Sequence, residues 1–474
     1  MSRRNVIVIM TDELRRDALG CYGSPVARTP TINALAENGL VFDACYTPSP
    51  ICVPARASIA TGRYVHETRC WSNAQPYQGE PESWHHRLRD AGFHTVSIGK
   101  LHFRGADDDN GFSQEIEPVH VRNGQGWIHG LLRDRDDLFD PSSFAEHIGP
   151  GDDPYTDYDE KVCAKAIEWI ADRGKRREDG NWCMFLSFLR PHYPLTCPPR
   201  FYEQFDPDRM PMPIPAGPLS GDGHPVLEWM RRSCNYDAPF DDEMRRIAIA
   251  SYHGLCSFVD DMVAQVLAAL EASGMAEDTA IIFTSDHGEC LGDRGFWTKM
   301  VMYEEAVTVP LIIAGAGAKK GRISAPVSLI DLYPTILELA GVDAKPRPVP
   351  CHARSLLTED HDEARSILSE YHDYGAQTAM FMLRKGSWKL VCYPGFPSQL
   401  FDLGADPGER HELSGEADNQ GVLAEMEEAL RAIIDPQEVN RLAFADQADR
   451  IAELGGREAI LGAENFDHTP APGA

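Results

Sequence analysis

The chain has 474 residues, 43% of them hydrophobic, with 45 Lys+Arg against 73 Asp+Glu and a formal net charge of −28. That length exceeds one compact core, so a large unit with a smaller one is expected, and the apolar fraction excludes a mostly disordered chain. The acidity is spread along the chain and repels nucleic acid and anionic membrane, so neither is expected as a partner.

Residues 1–10 carry charge as a signal peptide does, but the apolar run is short and Thr11-Asp12-Glu13 stands where a small-residue cleavage site belongs. No apolar run reaches the roughly 18 residues of a membrane span. Residues 5–10 (NVIVIM) therefore read as a first strand, and the protein as cytoplasmic. The 12 cysteines form no CxxC pair and read as reduced thiols; Cys45 and Cys52 would bridge only in an oxidising compartment.

Thr29-Pro30 opens a helix that Gly39 closes, residues 41–44 are a short extended piece, and residues 54–61 form a small helix ending at Gly62. Residues 95–98, 182–188, 280–284 and 309–314 read as further strands. Helical periodicity runs over 158–172 and 242–271, while the Pro-, Gly- and Asp-rich stretch 206–239 reads as a long surface excursion. Short β-rich runs alternating with helices predict an α/β fold: a large, mostly parallel sheet sandwiched by helices. After about residue 366 the pattern changes to short antiparallel strands at 380–383, 388–393 and 400–402, with helices from about 422. Two domains are expected, 1–360 and a smaller α+β unit over 361–474 with a helical tail.

Three constellations carry chemistry. Asp12-Glu13 follows the first strand, and Asp286-His287-Gly288-Glu289 follows the strand near 280–284, at the ends of strands where open α/β sheets hold ligands. Their carboxylates and imidazole suit a hard divalent cation, the histidine tilting the choice toward Mn²⁺; helix capping by Asp12 and Asp286 is the plainer alternative. Glu13 is the weakest member, because neighbours on an extended chain point in opposite directions. Cys52-Val53-Pro54-Ala55-Arg56 sets a cysteine at a helix mouth with an arginine one turn later, an arrangement that favours the thiolate, although a buried structural cysteine fits the same pattern. The basic set Lys100, His102, His192 and Lys299 includes two residues just after a predicted strand, able to meet an anion at the same mouth.

Together these motifs resemble the sulfatase family of the alkaline-phosphatase-like superfamily. Cys52-Val53-Pro54-Ala55-Arg56 is similar to its C-x-P-x-R element, residues 92–102 (GFHTVSIGKLH) to its second element, and Asp12, Asp286 and Lys299 fall in its order. The resemblance implies that a formylglycine-generating enzyme oxidises Cys52, reading a motif that includes Arg56. It implies a divalent metal, Ca²⁺ first and Mn²⁺ or Mg²⁺ as alternatives, held by Asp12, Glu13, Asp286 and His287. It further implies that Arg56 and Lys100 support the nucleophile, His102 helps eliminate sulfate, Lys299 binds ester oxygens and His192 protonates the leaving alcohol. Glu13 and His287 depart from the common pattern, and Asp-His at 286–287 resembles the choline-sulfatase and phosphonate monoester hydrolase branch. So do the run from Gly99-Lys100-Leu101-His102-Phe103 to Gly111-Phe112 and a C-terminal tail of a kind that reaches a neighbouring subunit, so a homo-oligomer is expected. Asn73 and Trp127 are the substrate-binding candidates, the indole either facing a quaternary ammonium group through a cation–π contact or simply packing. The expected reaction is hydrolysis of a small anionic sulfate ester. The alternatives are phosphonate monoester or phosphodiester hydrolysis at the same site, and an anion-binding relative with Cys52 unmodified.

Overall fold

The computed structural model describes residues 3–217, 223–343, 352–358, 360–466 and 468–471. An eight-stranded sheet runs in the order Gly321–Ile323, Leu40–Phe42, Leu311–Gly315, Thr279–Ser285, Asn5–Asp12, Trp182–Pro191, His94–Lys100 and Gln114–Val119. Leu311–Gly315 alone runs against its neighbours; the five strands from Thr279–Ser285 to Gln114–Val119 are parallel. The alternation along Asn5–Asp12 explains its central place. Ile7 and Ile9 face a core shared with Val162, Ala166, Phe258 and Val266 of the helices Pro154–Gly174 and Asp242–Ala272. Val6, Val8 and Met10 face Ala57, Trp84, Leu332 and Ile336 on the other side. A strand buried on both faces has no use for polar alternation, and each such Ile or Val contributes about 1.5–3 kcal/mol.

Several sequence expectations meet a physical limit. The run 309–314 is two strands, because Pro310 has no N–H to continue a ladder: Thr308–Val309 pairs with Cys45–Tyr46, and Leu311–Gly315 joins the large sheet. The extended piece expected at 41–44 stops at Phe42, since residues 43–44 turn the chain from Leu40–Phe42 into Cys45–Tyr46, which belongs to a different sheet. The stretch 206–239, of which 218–222 lie outside the described residues, contains the helix Pro225–Cys234, started by the His224 ring accepting from Val226 N and burying Leu227, Met230 and Cys234. The edge strand Gln114–Val119 carries no apolar run to betray it.

Ile367–Tyr371, Met380–Lys385, Trp388–Cys392 and Gln399–Asp402 form a separate antiparallel sheet. Its Leu368, Phe381, Leu390 and Leu400 pack with Met426 and Leu430 of the helix Gln420–Arg431, and with Tyr64, Val65 and Trp71 from the first part of the chain. The expected boundary near 360 falls beside 344–351 and 359, which lie outside the described residues. All cysteines among the described residues are free, Cys45 and Cys52 included, and no helix there is long and apolar enough to cross a membrane.

Two irregularities aim the strand ends. The ladder to Trp182–Pro191 slips between Met10 and Asp12, and the ladder to Gln114–Val119 slips between Ile98 and Lys100. At the second, Gly99 has φ +98°, and a Cβ there would lie 2.1 Å from the Ser187 carbonyl oxygen. Gly99→Ala is therefore expected to destabilise the protein by about 2 kcal/mol or more in chemical denaturation, because it strains the backbone and pushes two core strands apart. A variant as stable as the wild type contradicts this.

Candidate active site

Four adjacent parallel strands end at one place. Thr279–Ser285 delivers Asp286 and His287, Asn5–Asp12 delivers Asp12 and Glu13, Trp182–Pro191 delivers His192, and His94–Lys100 delivers Lys100 and His102. Thr11 pairs with Ser285, so two acidic groups far apart in sequence become neighbours. The helix Cys52–Thr61 enters from outside the sheet with every residue buried, and it presents Cys52 in its first turn.

The Cys52 sulfur lies 3.1 Å from His287 Nε2 and 3.6 Å from Asp12 Oδ1. His287 Nδ1 is 3.1 Å from the Gly288 carbonyl and donates to it, which leaves the Nε2 lone pair aimed 3.5 Å from Asp12 Oδ1 and 3.6 Å from Asp286 Oδ1. A carboxylate oxygen of Asp12 and of Asp286, His287 Nε2 and Cys52 Sγ all lie within 4.8 Å of one another. Lone pairs and anions packed this closely in a buried space call for a cation, so the donor set fits a divalent ion.

Glu13 has φ +67°, and this turn keeps its carboxylate on the site rather than on the opposite face. Oε2 lies 2.9 Å from Lys299 Nζ and 3.2 Å from His192 Nε2. Asp12, Glu13 and His192 also converge, but the Lys299 ammonium already occupies the place a cation would take there. Two groups of possible ligands thus share Asp12, one with Cys52, Asp286 and His287 and the other with Glu13 and His192. Burial, with the Glu289 charge and against the pull of Lys299, pushes Glu13 up to about 8.

Arg56 donates from Nε to Asp286 Oδ2 at 2.7 Å, and from Nη1 to the Lys100 carbonyl at 2.8 Å and Ser187 Oγ at 2.9 Å. Lys100 Nζ is paired with Asp12 Oδ2. Against the burial that would raise it, Lys100, His192 and Arg56 hold Asp12 well below the usual carboxylate range. Glu289 Oε1 accepts from Leu291 N and Thr298 N and so fixes the loop that carries Lys299. His192 Nδ1 donates to the Tyr193 carbonyl at 2.5 Å, and its Nε2 accepts from Lys299 Nζ at 2.7 Å. Burial, then Lys299, lowers His192; burial, then Lys100 and Arg56, lowers His102.

One pocket opens over Cys52. It is lined by Lys100, His102, His192 and Lys299 at the polar end and by Trp127, Phe139, Phe144, Tyr155, Tyr193 and Tyr236 beyond. Asn73 borders it with Oδ1 accepting from Val53 N at 3.2 Å, the next residue of the cysteine helix. Trp127 donates to Asn465 Oδ1 at 2.9 Å and stacks on Phe139. The C-terminal tail lies on its own chain's pocket: Thr469 Oγ1 is 2.9 Å from His102 Nε2, and its carbonyl accepts from Tyr155 OH. Tyr155, Ser187 and Thr469 are site residues that sequence reasoning passed over, and only Tyr155 had a signal, the Asp153-Pro154 helix start just before it; Glu289 reads from sequence only as a member of the acidic cluster after its strand.

Of the two sequence readings of Cys52, a thiolate favoured at a helix mouth and a buried structural cysteine, the geometry favours the second for the unoxidised thiol. Arg56 is spent on Asp286, and burial with the Asp12 charge pushes the thiol up to about 12, although Lys100 and Lys299 pull the other way. An unoxidised Cys52 in the native protein is therefore expected to resist iodoacetamide at pH 8 and to react only after denaturation. Stoichiometric native alkylation of the peptide carrying residue 52 contradicts this.

Residues 4–342 match the sulfatase family model, and residues 292–436 match the C-terminal region of N-sulphoglucosamine sulphohydrolase. A choline-sulfatase of Rhizobium meliloti (strain 1021) is 31% identical over 423 residues, covering 86% of this chain and 82% of that protein. Arylsulfatase K of Danio rerio is 30% identical over 461 residues, covering 93% and 85%. Among solved structures, a phosphonate monoester hydrolase from Silicibacter pomeroyi superposes with TM-score 0.73 at 25% identity, over 91% of this chain and 95% of that one. With its strand ends, cysteine helix and pocket arranged in this way, the chain belongs to the sulfatase family and is a sulfuric ester hydrolase.

Proposed function

We propose that the protein hydrolyses a small organic sulfate ester with a formylglycine formed from Cys52. The observation that carries this reading is the convergence of Asp12, Asp286 and His287 on Cys52, which lines a pocket that also holds Lys100 and Lys299. The Cys52 sulfur stands for the oxygens of an aldehyde hydrate, which has two hydroxyls on one carbon. Asp12, Asp286 and His287 would hold a divalent ion, Ca²⁺ first with Mn²⁺ or Mg²⁺ as alternatives, whose charge would favour an ionised oxygen at residue 52 and offset the charge of the ester. Glu13, set against Lys299 and His192, holds the ammonium in place rather than serving as a further ligand.

The residue 52 oxygen attacks sulfur, the new O–S bond forms in line, and the S–O bond to the alcohol breaks. Lys299 and the Asn73 amide meet ester oxygens. His192 passes to the departing alkoxide the proton that its Nε2 takes from the Lys299 ammonium. The second hydroxyl then loses its proton to His102, the C–O bond to sulfate breaks, and the aldehyde re-forms. No water attacks a hindered ester. The aromatic wall takes the alcohol, and Trp127, which lines the pocket, meets its non-reacting end in this reading. The free cysteines fit a reducing compartment such as the cytoplasm.

A second reading, phosphonate monoester hydrolysis, is favoured by the likeness to the phosphonate monoester hydrolase from Silicibacter pomeroyi. Side-by-side kcat/KM values on an aryl sulfate and an aryl phosphonate monoester with one leaving group separate the two; a strong phosphonate preference overturns the first reading. Cys52→Ala is expected to fold and to lose more than about 10³-fold in turnover. Residual activity near wild type removes the nucleophile. Asp286→Asn is expected to lose bound metal, read by elemental analysis, together with activity. Full metal content in that variant contradicts the ligand set.

A further inference from the structure

The strand Trp182–Pro191 ends in a fully buried arginine that the reaction does not touch. From the Arg190 guanidinium, Nη1 donates to the His192 carbonyl at 3.0 Å and to the Pro194 carbonyl. Nη2 donates to the Thr196 carbonyl at 3.2 Å, to Thr156 Oγ1 at 3.1 Å and to Asp153 Oδ1 at 2.5 Å, and Nε reaches Thr156 Oγ1 at 3.2 Å. The main chain at its root is held as well: Asp159 accepts from Leu189 N and Arg190 N, each at 2.8 Å. One side chain therefore gathers three carbonyls of the loop 191–196 and ties them to the first turn of the helix Pro154–Gly174.

Between the pinned carbonyls of His192 and Pro194 lies the carbonyl of Tyr193, which accepts from His192 Nδ1. That bond fixes the imidazole plane and tautomer and sends Nε2 to Lys299 in the pocket. The same helix turn carries Tyr155, whose ring lies under the guanidinium at 5.6 Å and lines the pocket. Burying an arginine this deeply is costly unless every donor is used in a fixed geometry. A loop needed only for packing does not demand three carbonyls gathered at one point.

We infer that Arg190 is the positioning residue for the leaving-group acid, holding His192 at the angle and depth from which it protonates the departing oxygen. The inference rests on the reading of His192 given above. Lysine keeps the charge but lacks the planar fork that spans Asp153, Thr156 and the three carbonyls.

The test uses metal-loaded enzyme, its residue 52 aldehyde quantified by mass spectrometry, and two substrates. 4-Nitrophenyl sulfate has a leaving group that departs without a proton; an alkyl sulfate needs one. For Arg190→Lys, kcat/KM on the alkyl sulfate is expected to fall by roughly 10- to 100-fold, and on 4-nitrophenyl sulfate by less than about 3-fold. His192→Ala is expected to show the same selective loss, with little further loss in the double variant. Should Arg190→Lys not fold, Thr156→Val, which removes the hydroxyl that Nε and Nη2 share, is expected to give the selective pattern in milder form. Equal losses on both esters, or no loss on the alkyl ester, overturn the role of Arg190. If His192→Ala itself shows no selectivity, the reading of His192 falls instead, and the two failures are distinguished.

Discussion

The parallel pairing of Asn5–Asp12 with Thr279–Ser285 is the constraint on which the rest depends. It brings Asp12 and Asp286 together across nearly the whole folded unit, and it does so with a ladder buried on both faces. Such a ladder is rigid because each apolar side chain is locked by helices above and below. Strand ends on that ladder are fixed points. Acidic groups that repel one another are thus forced close, and Arg56, Lys100 and Lys299 are recruited to hold them. The balance leaves a lone pair of His287 and the residue 52 side chain facing the same anionic centre.

Precision at the site comes from local departures from regular structure. Asp12 and Lys100 both sit where a strand ladder slips, and beside the second slip Gly99 allows the close approach to Ser187 on the neighbouring strand Trp182–Pro191. Glu13 and His102 adopt positive φ, a costly backbone state for non-glycine residues that the surrounding hydrogen bonds maintain. Buried carboxyls outside the reacting group, Glu289 and Asp159, accept main-chain N–H groups and so stiffen the loops of Lys299 and His192. The reactive side chains are held by residues that never meet the ester.

Much of this is legible in the sequence because it follows from composition and period. NVIVIM can hardly be anything but a central strand, and an acidic pair just past it lies at a sheet's carboxyl edge. What is not legible depends on backbone choices or on distant partners. Glu13 reads as pointing away until its φ is known, and Cys52 reads as activated until Arg56 is found committed to Asp286. Pro310 could have divided its run from the sequence, since a proline cannot sit inside a ladder. The helix Pro225–Cys234 was hidden by the Pro and Gly around it, and the tail contact of Thr469 with His102 joins residues that no local pattern relates.

The claim at the centre is that one divalent ion sits among Asp12, Asp286, His287 and residue 52. Diffraction from Mn²⁺-loaded crystals, with an anomalous map at the manganese edge, addresses it directly. The account predicts a single peak about 2–2.6 Å from a carboxylate oxygen of each aspartate and from His287 Nε2, with oxygen rather than sulfur at residue 52 facing it. A peak centred between Glu13 and His192 with Lys299 displaced, or no peak between the two strand ends, contradicts it.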